Sequence, residues 1–330
     1  MKKHHPLAIG AIALMSLALA ACGSGTPAGT ATTSSEPAAP ASSSSAAGGG
    51  TFKIGFSVST MANPYFVAMQ EGVTKAMKDT GAQVTSADAG NDASKQADDV
   101  LNFISQKMDA VLLNPTDGDA IVPSVEALNK AGIPVFTVDR TSNGGTIVSY
   151  MGTDNVAAGE TAAKALFEAL GGKGNVAILE GIPGASSAID RGTGFKNMEA
   201  NYPDIKIVAS QTANFDRTQG MTVAQNIIQA NPNLSAFLCM NDEMALGAIE
   251  AINAAGLTGK IKVNGIDGGA DAVNAVKAGT MTFTVAQQPA LMGEQSIKNI
   301  VTYLQGGKVD ANIPVATITI DSTNVDQFIK

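Results

Sequence analysis

Carboxylates, guanidiniums, amides and aromatic rings stand where the short apolar runs of this 330-residue chain end. Asn63, Tyr65 and Phe66 follow FKIGFSV, Asn114 and Asp117 follow AVLLN, and Asp139 and Arg140 follow PVFTV. Further on, Arg191 lies near GIPGASSAIDRG, Phe215 in ANFDR, Asn241 after SAFLCM, Asp267 after IKVNGI and Gln287 after MTFTVA. A carboxylate only accepts hydrogen bonds and a guanidinium only donates them, from a fixed fork. A hydroxyl does both, so alternating Asp139, Arg140, Arg191 and Asp267 around a ring of hydroxyls leaves no group unsatisfied. Charge-assisted bonds of this kind are roughly twice as strong as neutral ones. Asn63, Asn241 and Gln287 can serve in either sense. The two Asp and two Arg cancel, which suits a neutral ring better than a phosphorylated or carboxylated one. The C–H faces of such a ring need flat apolar partners, which Tyr65, Phe66 and Phe215 supply.

Other chemistries are excluded by composition. The two His residues are His4 and His5, at the extreme N-terminus. Ser-His-Asp and Cys-His arrangements and His metal sites are therefore impossible beyond it. Asp139 and Asp267 could form the carboxylate pair of a sugar isomerase or hydrolase. Flanking arginines are expected to keep both ionised, so neither would be a good general acid. Removing Lys2, Lys3 and Glu36 from the totals of 21 basic and 29 acidic residues leaves 19 and 28 for residues 51–330. An acidic excess argues against a nucleic-acid surface. Of the two Cys, Cys239 lies in the apolar run SAFLCM and reads as a small core residue, so no disulfide framework exists.

The elements that position these residues follow from periodicity. Runs such as FKIGFSV, AQVTSA, AVLLN, PVFTV, IVSYMG, NVAILE, KIVASQ, SAFLC, IKVNGI, MTFTVA and PVATITI read as strands. Between most of them lie amphipathic helical patterns, SKQADDVLNFISQK and EMALGAIEAINAA among them. In MANPYF, Asn63 can cap a helix and Pro64 suits its first position. This alternation predicts parallel sheets covered on both faces. AVLLNPTDGDAI resembles SAFLCMNDEMALGAI, and Asp139 and Asp267 close comparable strands, which predicts two α/β lobes of one topology. Ligands of open α/β sheets bind beyond the carboxyl ends of the strands, where the residues above were collected.

The first 50 residues read as lying outside the fold. Residues 1–21 have the form of a signal peptide, with a positive start and the apolar run PLAIGAIALMSLALAA. Leu19-Ala20-Ala21-Cys22 looks like a bacterial lipobox, in which Cys22 is lipidated. Residues 22–50 are rich in Ser, Ala and Gly and predict a flexible tether.

FSVSTMANPYF, LLNPTDGDAI, PVFTVDR, GTDN, GIPGASSAIDRG, FDRTQG, NDEMALGA, GIDGG and VAQQP together resemble the ribose-binding proteins of bacterial ABC transporters. The resemblance runs from Phe52 to about Ile320. It implies a type I periplasmic-binding-protein fold: two similar lobes, each a mostly parallel sheet flanked by helices, joined by a three-strand hinge. The implied lobes are residues 51–153 with 287–316 and residues 154–286 with 317–330, crossing near Thr153-Asp154, Ala286-Gln287 and Ala316. Family residues that hold the sugar match Asn63, Tyr65, Phe66, Asp139, Arg140, Arg191, Phe215, Asn241, Asp267 and Gln287. Asn114 and Asp117 are left as turn or interlobe residues. D-ribose is the implied ligand, with another pentose, allose, fructose or a polyol as alternatives.

The implied partners are a membrane permease and its ATPase; a sensor role feeding a chemoreceptor or kinase is compatible with them. A lipid-anchored extracytoplasmic monomer is expected, with no cofactor, metal, catalysis or nucleic acid. The related repressor domains would need a helix-turn-helix where this chain has a signal and tether. The glucose/galactose branch stacks its sugar on Trp and carries a Ca²⁺ loop, and this chain has no Trp. One departure stands out: the first ring is commonly Phe in ribose binders and is Tyr65 here.

Overall fold

The computed structural model describes residues 51–329. The signal, the tether, Cys22 and Lys330 lie outside the described residues. The chain begins with β1 (Lys53–Val58), α1 (Pro64–Thr80), β2 (Gln83–Asp88), α2 (Ala93–Ser105), β3 (Ala110–Leu113) and α3 (Val122–Lys130). It continues with β4 (Val135–Val138), β5 (Ser149–Thr153), α4 (Asn155–Ala169), β6 (Lys173–Glu180), α5 (Ser186–Glu199) and β7 (Asp204–Thr212). Next come α6 (Arg217–Ala230), β8 (Leu234–Cys239), α7 (Asp242–Ala254), β9 (Lys262–Asp267) and α8 (Ala270–Lys277). The chain closes with β10 (Phe283–Ala286), α9 (Pro289–Leu304), β11 (Asn312–Val315), β12 (Ile318–Asp321) and a short 3₁₀ turn.

These strands form two six-stranded sheets, ordered β11-β5-β4-β3-β1-β2 and β12-β10-β9-β8-β6-β7. Position for position, β1 to β5 correspond to β6 to β10, so the lobes share one topology. All pairings are parallel except β10 with β12. Two similar lobes, each a mostly parallel sheet flanked by helices, are the architecture the sequence reading expected.

Central strands are buried on both faces, which explains their near-continuous apolar runs. Along β3, Ala110 and Leu112 join a core beneath α1 and α9, while Val111 and Leu113 join another beneath α2 and α3. The edge strands β2 and β7 instead carry only exposed and half-buried residues. Five helices begin on an Asn or Asp whose side chain accepts a backbone N–H of the first turn: Asn63, Asp92, Asp154, Asp216 and Asn241. Cys239 is a buried free thiol in β8, in line with its reading as a core residue.

One strand reading needs correction. PVATITI is not a single strand: Asn312–Val315 pairs with β5 and Ile318–Asp321 with β10, on different sheets. β-branched residues at 315, 318 and 320 favour extension throughout. Which sheet each half joins depends on neighbours distant in sequence.

Candidate functional site

The cavity lies where the carboxyl ends of the two sheets face each other. The ten residues expected to hold a ligand all line it, together with Ser187. About 250 Å³ of space separates its walls. Ser187 was missed by the sequence reading. It sits four residues before Arg191 on α5, so both fall on the same helix face, and that spacing was the available signal.

From the first lobe, Asn63 Oδ1 accepts the Tyr65 N–H at 2.9 Å as the cap of α1. One lone pair of its amide oxygen is thereby used, and its Nδ2 remains to donate. The Tyr65 hydroxyl donates to Asp139 Oδ1 at 2.9 Å and lies 3.3 Å from Gln287 Oε1 and 3.6 Å from Met292 Sδ. Burial, reinforced by Asp139 and Asp267, pushes this phenol well above its usual pKa, so it is protonated. Asn114 is fully buried and donates to Asp139 Oδ2 at 3.1 Å while accepting the Ser59 N–H at 3.1 Å. It is a support behind the carboxylate and does not line the cavity. Arg140 Nε stands 3.7 Å from Asp139 Oδ2, too far for a hydrogen bond, and has no partner among the described residues. Burial lowers the Arg140 pKa, opposed by Asp139. A guanidinium stays charged even so.

From the second lobe, Arg191 Nε donates to Asn155 Oδ1 at 2.9 Å and its Nη1 to the Met240 carbonyl. Those bonds aim the rest of the fork toward Asp267, whose Oδ1 lies 4.0 Å from Nη1. Asp267 Oδ1 also accepts Gln287 Nε2 at 2.8 Å. Burial pushes the Asp267 carboxyl well above the ordinary carboxylate range; Arg191 pulls it down and Asp242 pushes it up. Arg191 thus only partly opposes the effect of burial on Asp267. At 4.0 Å, one guanidinium does not offset full desolvation. Asn241 caps α7 by accepting the Met244 N–H at 3.0 Å, and its Nδ2 donates to the Phe215 carbonyl at 3.4 Å, leaving one amide hydrogen free to donate.

The aromatic residues form two walls. Arg140 lies 5.3 Å from the Phe66 ring centre and 5.4 Å from that of Phe215; Arg191 lies 5.9 Å from Phe215. A Cβ on Gly181 would sit 2.1 Å from the tip of Phe215, so only glycine there leaves the ring its place. Asp139 (φ 63°), Phe215 (φ 57°) and Asp267 (φ 142°) hold backbone conformations that non-glycine residues avoid. Each costs on the order of 1–3 kcal/mol, and such strain clusters at functional sites.

A model of the periplasmic binding protein domain matches residues 54–308. The chain belongs to the periplasmic binding protein family. It is 45% identical over 262 residues to a ribose import binding protein of Bacillus subtilis, covering 79% of this chain and 85% of the relative. A xylitol-binding protein of Mycolicibacterium smegmatis is 32% identical, over 98% of this chain and 87% of its own length. A solute-binding protein of an ABC transporter from Actinobacillus succinogenes, solved with bound D-allose, superposes with a TM-score of 0.78 at 35% identity. That superposition covers 84% of this chain and all of the solved one.

In this periplasmic binding protein the two lobes meet across the cleft. The Gly118 N–H donates to the Gly184 carbonyl at 2.9 Å, and the Thr141 N–H to Ser186 Oγ at 3.2 Å. Asp117, set aside in the sequence reading as a turn or interlobe residue, does both. Its Oδ1 accepts two turn N–H groups, and its carboxylate abuts Gly184, where a Cβ would lie 1.8 Å from Oδ2. The site is thus closed over by the backbone of both lobes.

Proposed function

We propose that the protein binds a neutral monosaccharide, D-ribose foremost, between its lobes and delivers it to a membrane permease driven by a partner ATPase. The observation that carries this reading is the single small cavity in which two carboxylates, two guanidiniums, three amides and three aromatic rings converge. Opposed donors and acceptors with balanced charge suit hydroxyls, and Arg140 Nε offers a buried donor with no partner among the described residues. The names of the related proteins support the same ligand class, and the relative with the highest quoted identity supports ribose.

On this reading the lobes are residues 51–153 with 287–316 and residues 154–286 with 317–330. They open and close about the crossings, and the sugar shifts the balance toward the closed form. The site residues are Asn63, Tyr65, Phe66, Asp139, Arg140, Arg191, Phe215, Asn241, Asp267 and Gln287. The protein works outside the cytoplasm as a monomer, held by a lipid on Cys22, and catalyses nothing. No helix among the described residues is long and apolar enough to cross a membrane.

A calorimetric and thermal-shift panel of neutral monosaccharides and polyols tests the reading. D-ribose is expected to bind at micromolar strength or tighter, about −8 kcal/mol. Arg140→Ala or Asp267→Ala should each remove most of the thermal stabilisation by ligand. Another sugar stabilising in place of D-ribose would overturn the ligand and leave the class. Conversion of the sugar during incubation would overturn the non-catalytic reading.

A further inference from the structure

We infer that Tyr65 is a specificity-determining residue. Its hydroxyl fills a place on Asp139 that a sugar hydroxyl would otherwise take, so the site accepts a monodeoxy sugar lacking the hydroxyl that faces the hinge. The inference rests on the sugar-binding reading above and deepens it.

A carboxylate offers about four acceptor positions on its two oxygens. Tyr65 holds one on Oδ1 at 2.9 Å and Asn114 one on Oδ2 at 3.1 Å, both from buried side chains. A phenol has a single proton, and the charged acceptor at 2.9 Å takes it in preference to the neutral Gln287 Oε1 at 3.3 Å. Gln287 in turn donates to Asp267. Asp139, Tyr65, Gln287 and Asp267 therefore form a run of polar contacts from one lobe's carboxylate to the other's along the hinge side. The phenol oxygen is also packed at 3.6 Å against Met292 Sδ, which holds it there.

A Phe in this place would leave Asp139 Oδ1 to be satisfied from the ligand. A site that depends on a ligand hydroxyl rejects the analogue lacking it, because the buried acceptor is then left bare. With Tyr65 the acceptor is already satisfied. Loss of the matching sugar hydroxyl leaves no orphan, and its presence adds only a weaker bond to a neutral phenol oxygen.

The test is a cycle of two hydroxyls, one on the protein and one on the ligand. The parent is the tightest-binding sugar of the panel, D-ribose first. It and each of its monodeoxy analogues are titrated calorimetrically into the wild-type protein and into Tyr65→Phe. In the wild type, one analogue is expected to bind within about threefold of the parent; in Tyr65→Phe the same analogue should fall at least tenfold behind, a coupling of at least about 0.7 kcal/mol. Equal loss for parent and analogue in Tyr65→Phe would overturn the inference. So would a wild type that penalises every monodeoxy analogue tenfold or more, a result that stands even if the variant fails to fold. A wild type that binds no neutral monosaccharide would instead sink the functional reading, and this inference with it.

Discussion

Asp139 and Asp267 end topologically equivalent strands, β4 and β9, yet their surroundings differ. Asp139 is held by a phenol and a buried amide, whereas Asp267 has one amide and a distant guanidinium. Behind Asp267 lies Asp242, fully ringed by protein, which accepts Thr284 Oγ1 at 2.7 Å and the Gly269 N–H at 2.8 Å. Burial raises Asp242 to about 6. A carboxyl raised in this way binds its proton more tightly folded than unfolded, so its charge opposes folding above its folded pKa. Its contribution to unliganded stability therefore grows as pH falls from about 7 through 6 toward 4, where the unfolded carboxyl titrates. Urea unfolding across that range should show the gain in the wild type and a flatter profile in Asp242→Asn. Asp267 is raised by burial as well, so sugar affinity should fall as pH drops through its titration, where the protonated carboxyl loses acceptor capacity; calorimetry across a pH series reads it. At this scale the sequence told which side chains meet, since strand ends converge in any open α/β sheet. It left the amides ambiguous. Asn63 and Asn241 each spend one oxygen lone pair on a helix cap, which biases them toward donation in the cavity, and the fully buried support from Asn114 depends on a fold seen whole.

Helices come to the site in packed pairs, and the approach is set by missing side chains. α4 and α5 lie so close that a Cβ on Gly159 would stand 2.5 Å from the Arg191 carbonyl, and one on Gly194 2.3 Å from that of Val156. α1 and α9 are locked alike through Gly72 and Gly293. Each pair carries cavity-lining residues at its cleft end: Ser187 and Arg191 on α5, and Tyr65 and Phe66 on α1, with Gln287 just before α9. Helix spacing is thus a dimension of the cavity. Gly159→Ala is expected to destabilise the protein by about 1–3 kcal/mol, as overpacking does. It should also weaken sugar binding by displacing Arg191, so the melting temperature and the Kd for the sugar should worsen together. The helices and strands themselves were legible, because their apolar periods survive in each segment alone. The glycines were not read as contacts and PVATITI was read as one strand, since both meanings reside in a partner segment that periodicity does not name.

Across the whole molecule, the similarity of AVLLNPTDGDAI to SAFLCMNDEMALGAI maps onto β3 and β8, the same position in two sheets of identical order. The second lobe departs from the first at one edge, where β12 runs antiparallel to β10 while β11 runs parallel to β5. The duplication was therefore visible as a pattern of strand, polar turn and helix, even where few residues agree. Contact between the lobes was less legible. Of the residues that meet there, Asp117 was noted, whereas Gly118 and Gly184 bring no side-chain chemistry that a sequence can advertise. Their link is made by the peptide chain alone, and that gives the molecule a built-in clock. When the lobes part, the Gly118 amide loses its acceptor and exchanges its hydrogen with solvent; when they close, it is shielded. Saturating sugar should slow deuterium uptake at Gly118 by at least about tenfold relative to the ligand-free protein, as expected for a site whose opening governs exchange. Core amides of β3 and β8 should keep their protection throughout. Unchanged uptake at Gly118 would mean that the lobes do not part in solution.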